Sequence, residues 1–218
     1  MWHIFDKGGP VMYPLLACSI LALGVVIERA IFWLKLAIKS QPSLVDEILE
    51  LSRQGDWESI KNKTVDTKDY IIKILVSGIL HKDFSMIKAM EAAAADEVKQ
   101  MRRFMGILDT MITVAPLLGI FGTVLGIISS FEILGSTGIE HPQEVTSGIA
   151  QALITTAAGL GIAILSVFPY NYFNSRVENA AGIIEKYATS LEIVFEKLTQ
   201  PGGKNYAEAE HENQSACT

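Results

Sequence analysis

Long apolar runs divide the chain into membrane-like and polar parts. Three runs carry few charges. They begin at Val11, Thr110 and Gly148, and the second and third contain no Asp, Glu, Lys, Arg or His as far as Phe131 and Phe173. A helix rises about 1.5 Å per residue, so runs of roughly 20 residues cross a hydrocarbon core of about 30 Å. The pattern predicts an all-α integral membrane protein with transmembrane helices at residues 11–34, 106–132 and 147–174.

The polar stretch between the first two runs, residues 35–105, is expected to be a small cytoplasmic helical insertion. Ser43 resembles the N-cap of a helix that Gly55 ends, residues 61–69 are expected to form a polar connection, and the apolar period predicts a helix over residues 70–81. A further helix should start after Ser85. Because neither Gly nor Pro occurs before Gly106, this helix is expected to run unbroken into the second membrane span.

The third run is expected to continue into the cytoplasm as a helix over residues 175–199. Its apolar side chains recur at alternating spacings of three and four, which predicts a seam that packs against another helix, most simply the one leading into the second span. The seam comprises Val177, Ala180, Ile184, Tyr187, Leu191, Val194 and Leu198. Residues 1–10 and 133–146 are expected to lie outside the membrane, and residues 200–218 to form a disordered acidic tail.

The distribution of cations predicts the orientation. Of the 18 Lys and Arg residues, only Lys7 falls on the side shared by the N-terminus and residues 133–146. The positive-inside rule therefore places the N-terminus outside and the C-terminus in the cytoplasm. The net charge of −6 gives no support for nucleic-acid binding. Cys18 and Cys217 are expected to lie too far apart to pair.

Two of the predicted spans have one small, polar face each. On a helical projection the face of the second span contains Ala115, Gly119, Gly122, Thr123, Gly126 and Ser130. The face of the third contains Gly148, Gln151, Ala152, Thr155, Thr156, Gly159, Ala163 and Ser166. Such faces allow close helix packing in lipid, so packing alone is one explanation.

The depth of two threonines suggests another explanation. Thr123 precedes Phe131, and Thr156 follows Gly148, by eight residues, which puts both hydroxyls about 12 Å below the outer boundary. Several subunits around an axis could then form a polar lining without a fixed charge. Such a lining cannot itself bind and release protons, so a partner chain would have to supply the titratable group.

These residues also carry a family likeness. TVAPLLGIFGTVLGIISSF followed by GIAQALITTAAGLGIAI resembles the MotA/TolQ/ExbB proton channel family, most closely its ExbB/TolQ branch, and GGPVMYPLLACSILALGVVIERAIFWL is similar to the same branch. The resemblance implies a pentameric ring in the bacterial inner membrane. It also implies two copies of an ExbD/TolR-like single-span partner with a membrane Asp, and a TonB/TolA-like protein as a further candidate.

Roles for individual residues follow from the same likeness. Thr123 and Thr156 match the threonines of the ion pathway, and Gln151 and Thr155 extend the proposed lining. Gln151 stands where ExbB and TolQ usually have Glu, so this position cannot titrate here. The positions assigned to helix packing or to a hinge are Pro116, Gly119, Gly122, Gly126 and Gly159.

The favoured function is a non-enzymatic subunit that converts proton motive force into mechanical work, without cofactor or metal. The alternatives are a stator for another machine (gliding, export or flagellar-type, driven by protons or sodium) and a purely structural membrane scaffold. His3, His81, His141 and His211 are scattered, without metal spacing or a nucleophile–base pair, which disfavours an enzyme.

Overall fold

The computed structural model describes residues 8–65, 67–137 and 142–199, and all regular structure within them is helical. The helices are α1 (Met12–Lys39), α2 (Pro42–Gln54), α3 (Trp57–Thr64), α4 (Tyr70–Leu80), α5 (Met86–Met101), α6 (Met105–Thr137) and α7 (Pro142–Thr199). Three segments are long and apolar enough to cross a membrane: Met12–Lys39, Met105–Gly135 and Gln143–Thr199. The prediction of an all-α protein with three helices long and apolar enough to cross a membrane is therefore confirmed.

The chain divides into two compact units. The first combines the described parts of Met1–Ile31 and Arg102–Ser175, which contain the apolar parts of α1, α6 and α7. Two small cores hold these helices together, one built on Leu15 and Ala115 and the other on Val25 and Leu108. Large apolar side chains elsewhere on the same helices are exposed, as expected for surfaces that face lipid. They include Leu117, Phe121, Leu153, Leu165 and Phe168.

The second unit comprises the described parts of Phe32–Met101 and Arg176–Thr218. Its core contains Ile48, Ile72 and Leu75, all fully buried. A buried carboxylate, Asp69, starts α4: its Oδ1 accepts a hydrogen bond from the Ile71 N–H at 2.8 Å, and its Oδ2 accepts one from the Gln41 N–H at 2.7 Å. Asp69 thereby ties the start of α4 to the residue that precedes α2.

The predicted boundaries around α2 and α3 need correction. Helix α2 begins at Pro42 with Gln41 as its N-cap, so Ser43 is not the cap. Proline has a fixed φ and no N–H, which suits it to the first helical position. Gly55 ends α2 in the left-handed conformation (φ 72°), as predicted.

The expected polar connection at residues 61–69 contains the end of an additional helix, α3. Asp56 caps this helix by accepting a hydrogen bond from the Ser59 N–H at 3.0 Å. Hydrogen bonds from the Ser59 hydroxyl and N–H lower the pKa of Asp56. The helix is capped by Asp56 and packs through the buried Ile60, although its sequence lacks a strong apolar period.

Helix α4 confirms the prediction for residues 70–81, but the unbroken helix from Ser85 into the membrane is wrong. Helix α5 ends at Met101, and α6 begins at Met105. Between them Phe104 has φ 64°, a conformation that a helix cannot contain. The ring of Phe104 lies 4.5 Å from the Arg103 guanidinium and 5.9 Å from that of Arg29. The residue at the break is therefore in contact with Arg29, which lies far from it in sequence.

Helix α7 is continuous from Pro142 to Thr199, so the predicted third span and the predicted extension over residues 175–199 form one helix. The predicted seam is a buried stripe: Val177, Ala180, Ile184 and Leu191 are buried, and Tyr187, Val194 and Leu198 are half-buried. The long helices exceed the predicted spans, since α1 reaches Lys39 and α6 reaches Thr137. Residues 1–7 and the predicted disordered tail (200–218) lie outside the described residues.

Candidate functional site

The small faces of α6 and α7 pack directly against each other. A Cβ added to Gly119 would lie 3.0 Å from both the Thr155 carbonyl oxygen and the Thr156 Cα, and one added to Gly126 would lie 2.8 Å from the Gly148 carbonyl oxygen. Real Cβ atoms are essentially never that close to backbone. The two helices therefore approach so closely that glycine is required at their contact.

Gly159 extends this contact along the helices as far as Ala115, and Gly122 belongs to the same contact between Gly119 and Gly126. A Cβ on Gly159 would collide with the Ala115 carbonyl oxygen, and a Cβ on Gly122 would lie 2.6 Å from the Thr155 Oγ1. All four glycines that the sequence assigned to packing thus lie in one intramolecular interface. We use the name α6–α7 interface for this contact between Ala115–Ser130 and Gly148–Gly159.

The hydroxyls of this interface bond to backbone carbonyls. Thr156 Oγ1 donates across the interface to the Gly119 carbonyl oxygen at 3.0 Å. Thr155, only 1% exposed, donates to the Ala152 carbonyl oxygen at 2.8 Å within its own helix. Near the start of α7, Ser130 donates to the Gly126 and Val145 carbonyl oxygens at 2.9 and 3.1 Å. Ser130 lies on the small face predicted for the second span, but nothing in the sequence indicates its hydrogen bond to Val145.

Thr123 is placed differently. Its half-buried side chain donates to the Ile120 carbonyl oxygen at 2.5 Å, on its own helix. Such a bond to the preceding turn is easily exchanged for another acceptor because it holds no second helix in place. Of the two threonines predicted at equal depth, Thr156 holds the α6–α7 interface, and Thr123 remains the more available hydroxyl.

Gln151 contacts the turn that leads into α1. Gly9 has φ 68°, and a Cβ at this position would collide with the Gln151 Nε2 atom. The Met12 N–H donates to the Gly9 carbonyl oxygen at 3.1 Å and closes the turn. The half-buried Gln151 side chain therefore packs against the turn that precedes α1. Only the two glycines before Pro10 hinted at such a close approach in the sequence.

Pro116 lies inside α6 without ending it. A proline lacks an N–H, so the carbonyl four residues earlier loses its helical donor. The neighbouring Ala115 is fully buried in a cluster with Val11 and Leu15 of the first span. Gly159 of α7 also faces Ala115, so all three membrane-crossing helices meet close to Pro116.

The α6–α7 interface contains no charged side chain, and an ion pair lies in the second half of α1. There the buried Arg29 side chain donates to both Glu28 carboxylate oxygens, at 2.5 and 2.7 Å. Among the described residues, no group of three His, Cys, Asp or Glu side chains could hold a metal ion. The interface can donate and accept hydrogen bonds, but it has no group that titrates.

Comparison with known proteins gives consistent matches. The family described as the MotA/TolQ/ExbB proton channel family matches residues 67–186. A Synechocystis protein named biopolymer transport protein ExbB-like 3 is 34% identical over 208 residues, which cover 92% of this chain and 98% of the relative. A Methanothermobacter thermautotrophicus protein named as an ExbB homolog is 30% identical over 186 residues, or 84% of this chain and 66% of the relative.

A match to the other named branch covers less of the chain. The Tol-Pal system protein TolQ of Pseudomonas aeruginosa is 34% identical over 110 residues, which are 50% of this chain and 48% of the relative.

Proposed function

Because the chain belongs to the MotA/TolQ/ExbB proton channel family, we propose that it is the channel-forming subunit of an inner-membrane motor driven by the proton motive force. Its work is to energise transport or an envelope process. The general function as a membrane channel subunit follows from the family. The process that is energised, the ion and the partners belong to the proposal.

One observation carries the mechanism: the small faces of the second and third spans have hydroxyl and amide groups but no Asp, Glu, Lys, Arg or His. Moving an isolated charge into the membrane costs several kcal/mol, whereas a neutral hydrogen-bonding group is tolerated. The proton must therefore travel on another chain. A single-span partner of the ExbD/TolR type, with an aspartate in its membrane helix, would supply the carrier, and Thr123 and Thr156 would line its path.

The proposed assembly follows the family pattern. Five copies surround two copies of the partner, with the N-terminus outside and the C-terminus in the cytoplasm. Protonation neutralises the partner's aspartate and lets it enter the ring, and each charge moved contributes about 2.3 kcal/mol per 100 mV. A TonB/TolA-like protein would receive the motion.

The roles within the path differ between residues. Thr123 is the first candidate for contact with the aspartate, because its hydroxyl bonds only to its own helix. Thr156 fixes the α6 backbone beside the path, since its hydroxyl donates a hydrogen bond to the Gly119 carbonyl oxygen. Gln151, against Gly9, and Thr155, buried in the α6–α7 interface, support the shape of the path in this proposal.

A structural scaffold is the second candidate, and a specific observation favours it. The hydroxyls of Thr155, Thr156 and Ser130 all bond to backbone carbonyls within one chain, as they would in a protein whose small faces serve only packing. A scaffold would tolerate Thr123→Val, because this change preserves shape and removes only the hydroxyl.

The deciding experiment measures proton uptake in proteoliposomes that contain the chain and a single-span subunit with a membrane aspartate. Under an imposed potential, Thr123→Val should reduce uptake by about tenfold, since a lost hydrogen bond to a desolvated group costs about 1–1.5 kcal/mol. Thr123→Ser keeps the hydroxyl and should retain most of the uptake. Equal uptake by all three proteins would reject the ion path and favour the scaffold.

A further inference from the structure

A groove of about 430 Å³ lies between α5 and α7 in the second unit. We call its apolar lining the floor, and this floor combines alanines with larger apolar side chains. Met90, Ala94 and Val98 come from α5, and Ala181, Ile184 and Ala188 come from α7. Small residues leave room for a backbone or a side chain to approach closely, so the floor suits an apolar stripe of another segment.

The rim of this groove is acidic. Glu91 of α5 and Glu185 and Glu192 of α7 line it, and no Lys or Arg does. Within the described residues none of these three carboxylates forms a salt bridge. The Nζ of Lys186, next to Glu185, instead lies 5.6 Å from the centre of the Tyr187 ring.

Other carboxylates of the same unit do have cationic partners. Glu47 pairs with Lys63, and Glu97 lies 3.6 Å from the Nζ of Lys73. The rim of the α5–α7 groove thus concentrates negative charge beside an apolar floor. The matching ligand is a segment with an apolar stripe flanked by Lys or Arg.

We propose that the α5–α7 groove is the docking site for the basic cytoplasmic segment of a single-span membrane partner. This rests on the proposed function, which requires such a partner. Segments that flank a membrane helix on the cytoplasmic side are rich in Lys and Arg, so the partner would present the chemistry that the groove matches. The proposal adds a cytoplasmic attachment to the contacts expected within the membrane.

The spacing of the carboxylates defines the occupant further. Glu185 and Glu192 are seven residues apart, or about 10.5 Å along α7. A helical occupant would place one cation beside each carboxylate if its cations were two turns apart. An extended occupant would do so with cations three residues apart.

A binding measurement tests this chemistry without requiring ion flux. The probe is a fluorescent synthetic helix with Lys residues seven apart beside an Ala/Leu stripe, titrated onto the full chain in lipid nanodiscs. Glu185→Gln and Glu192→Gln should each weaken binding two- to fivefold, as expected for exposed ion pairs, and salt should weaken binding to the unaltered chain. Glu196→Gln, an exposed position of α7 outside the groove, is the matched control.

Equal affinity for the Lys probe and a Glu-substituted copy of it would overturn the proposal. Equal losses in Glu192→Gln and Glu196→Gln would overturn it as well. The titration measures binding of the probe directly, so the probe can bind a chain that shows no proton uptake. Conversely, proton uptake can persist in a variant that no longer binds the probe. The two proposals are therefore rejected by different results.

Photo-crosslinking identifies the natural occupant. A benzophenone amino acid replaces Ala188 in the groove or, as control, Ile193 on an exposed part of α7. In native membranes the Ala188 position should crosslink to the cytoplasmic segment of a single-span subunit that carries a membrane aspartate, and Ile193 should not. Crosslinks to a second copy of this chain would show a subunit interface and overturn the proposal, as would the absence of any crosslink at Ala188.

Discussion

At the scale of single residues, the glycines of α7 differ sharply in what surrounds them. Gly159 faces the backbone of Ala115, whereas a Cβ on Gly161 would meet nothing within 4 Å. Replacing glycine by alanine inside a helix normally stabilises it by about 1 kcal/mol. The cost of overpacking a close contact is about 1–3 kcal/mol, so at Gly159 the clash should outweigh the helical gain.

We therefore expect Gly159→Ala to lower the unfolding temperature of the purified protein in detergent and Gly161→Ala to leave it unchanged or raise it. Both variants add one methyl group to the same helix, so they differ only in the space available. A rise in both would mean that α6 and α7 are not in backbone contact at Ala115.

At the scale of elements, the break between α5 and α6 gives the next prediction. An aromatic residue in the left-handed region costs about 1–2 kcal/mol, and each contact between a cation and a ring returns at least about 0.5 kcal/mol. Phe104 has two such contacts, with Arg29 and Arg103, so the terms nearly balance. Glycine would lose the contacts but also remove the strain, whereas alanine would lose the contacts and keep the strain.

Phe104→Gly should therefore be more stable than Phe104→Ala by about 1 kcal/mol in chemical unfolding. A continuous helix through this position would reverse the order, because alanine is the better helix former. A matched pair on the continuous helix, Ser175→Gly and Ser175→Ala, should show that reversed order.

Which elements could be predicted depends on where their information lies. The spans and the seam of α7 follow from the period of apolar residues, and the small faces follow from the same period. The break at Phe104 was missed because Arg102, Arg103 and Phe104 all tolerate a helix, and because Arg29 is remote in sequence. Likewise, the face of Thr156 was predictable, but its bond to Gly119, 37 residues away, depends on how two helices pack.

At the scale of the whole molecule, the charge distribution predicts a topology. Three crossings place the two termini on opposite sides, and residues 132–146 contain no Lys or Arg. Cations cluster in the second unit and, in the first unit, at Arg29, Arg102 and Arg103. Short loops that contain Lys or Arg tend to stay on the cytoplasmic side of the membrane. The short segment of residues 133–146 lacks both, so it gives the strongest indication of which side faces outwards.

Cysteine labelling checks this orientation with two exposed reporters. In a background carrying Cys18→Ala and Cys217→Ser, Glu132→Cys reports the predicted outer side, and Phe84→Cys, at a position 97% exposed, reports the cytoplasmic side. A membrane-impermeant maleimide added to intact spheroplasts should label the cysteine at 132 and spare that at 84. After permeabilisation both should react, which controls for local accessibility. The opposite pattern would invert the topology, and the acidic α5–α7 groove could then no longer meet a basic cytoplasmic segment.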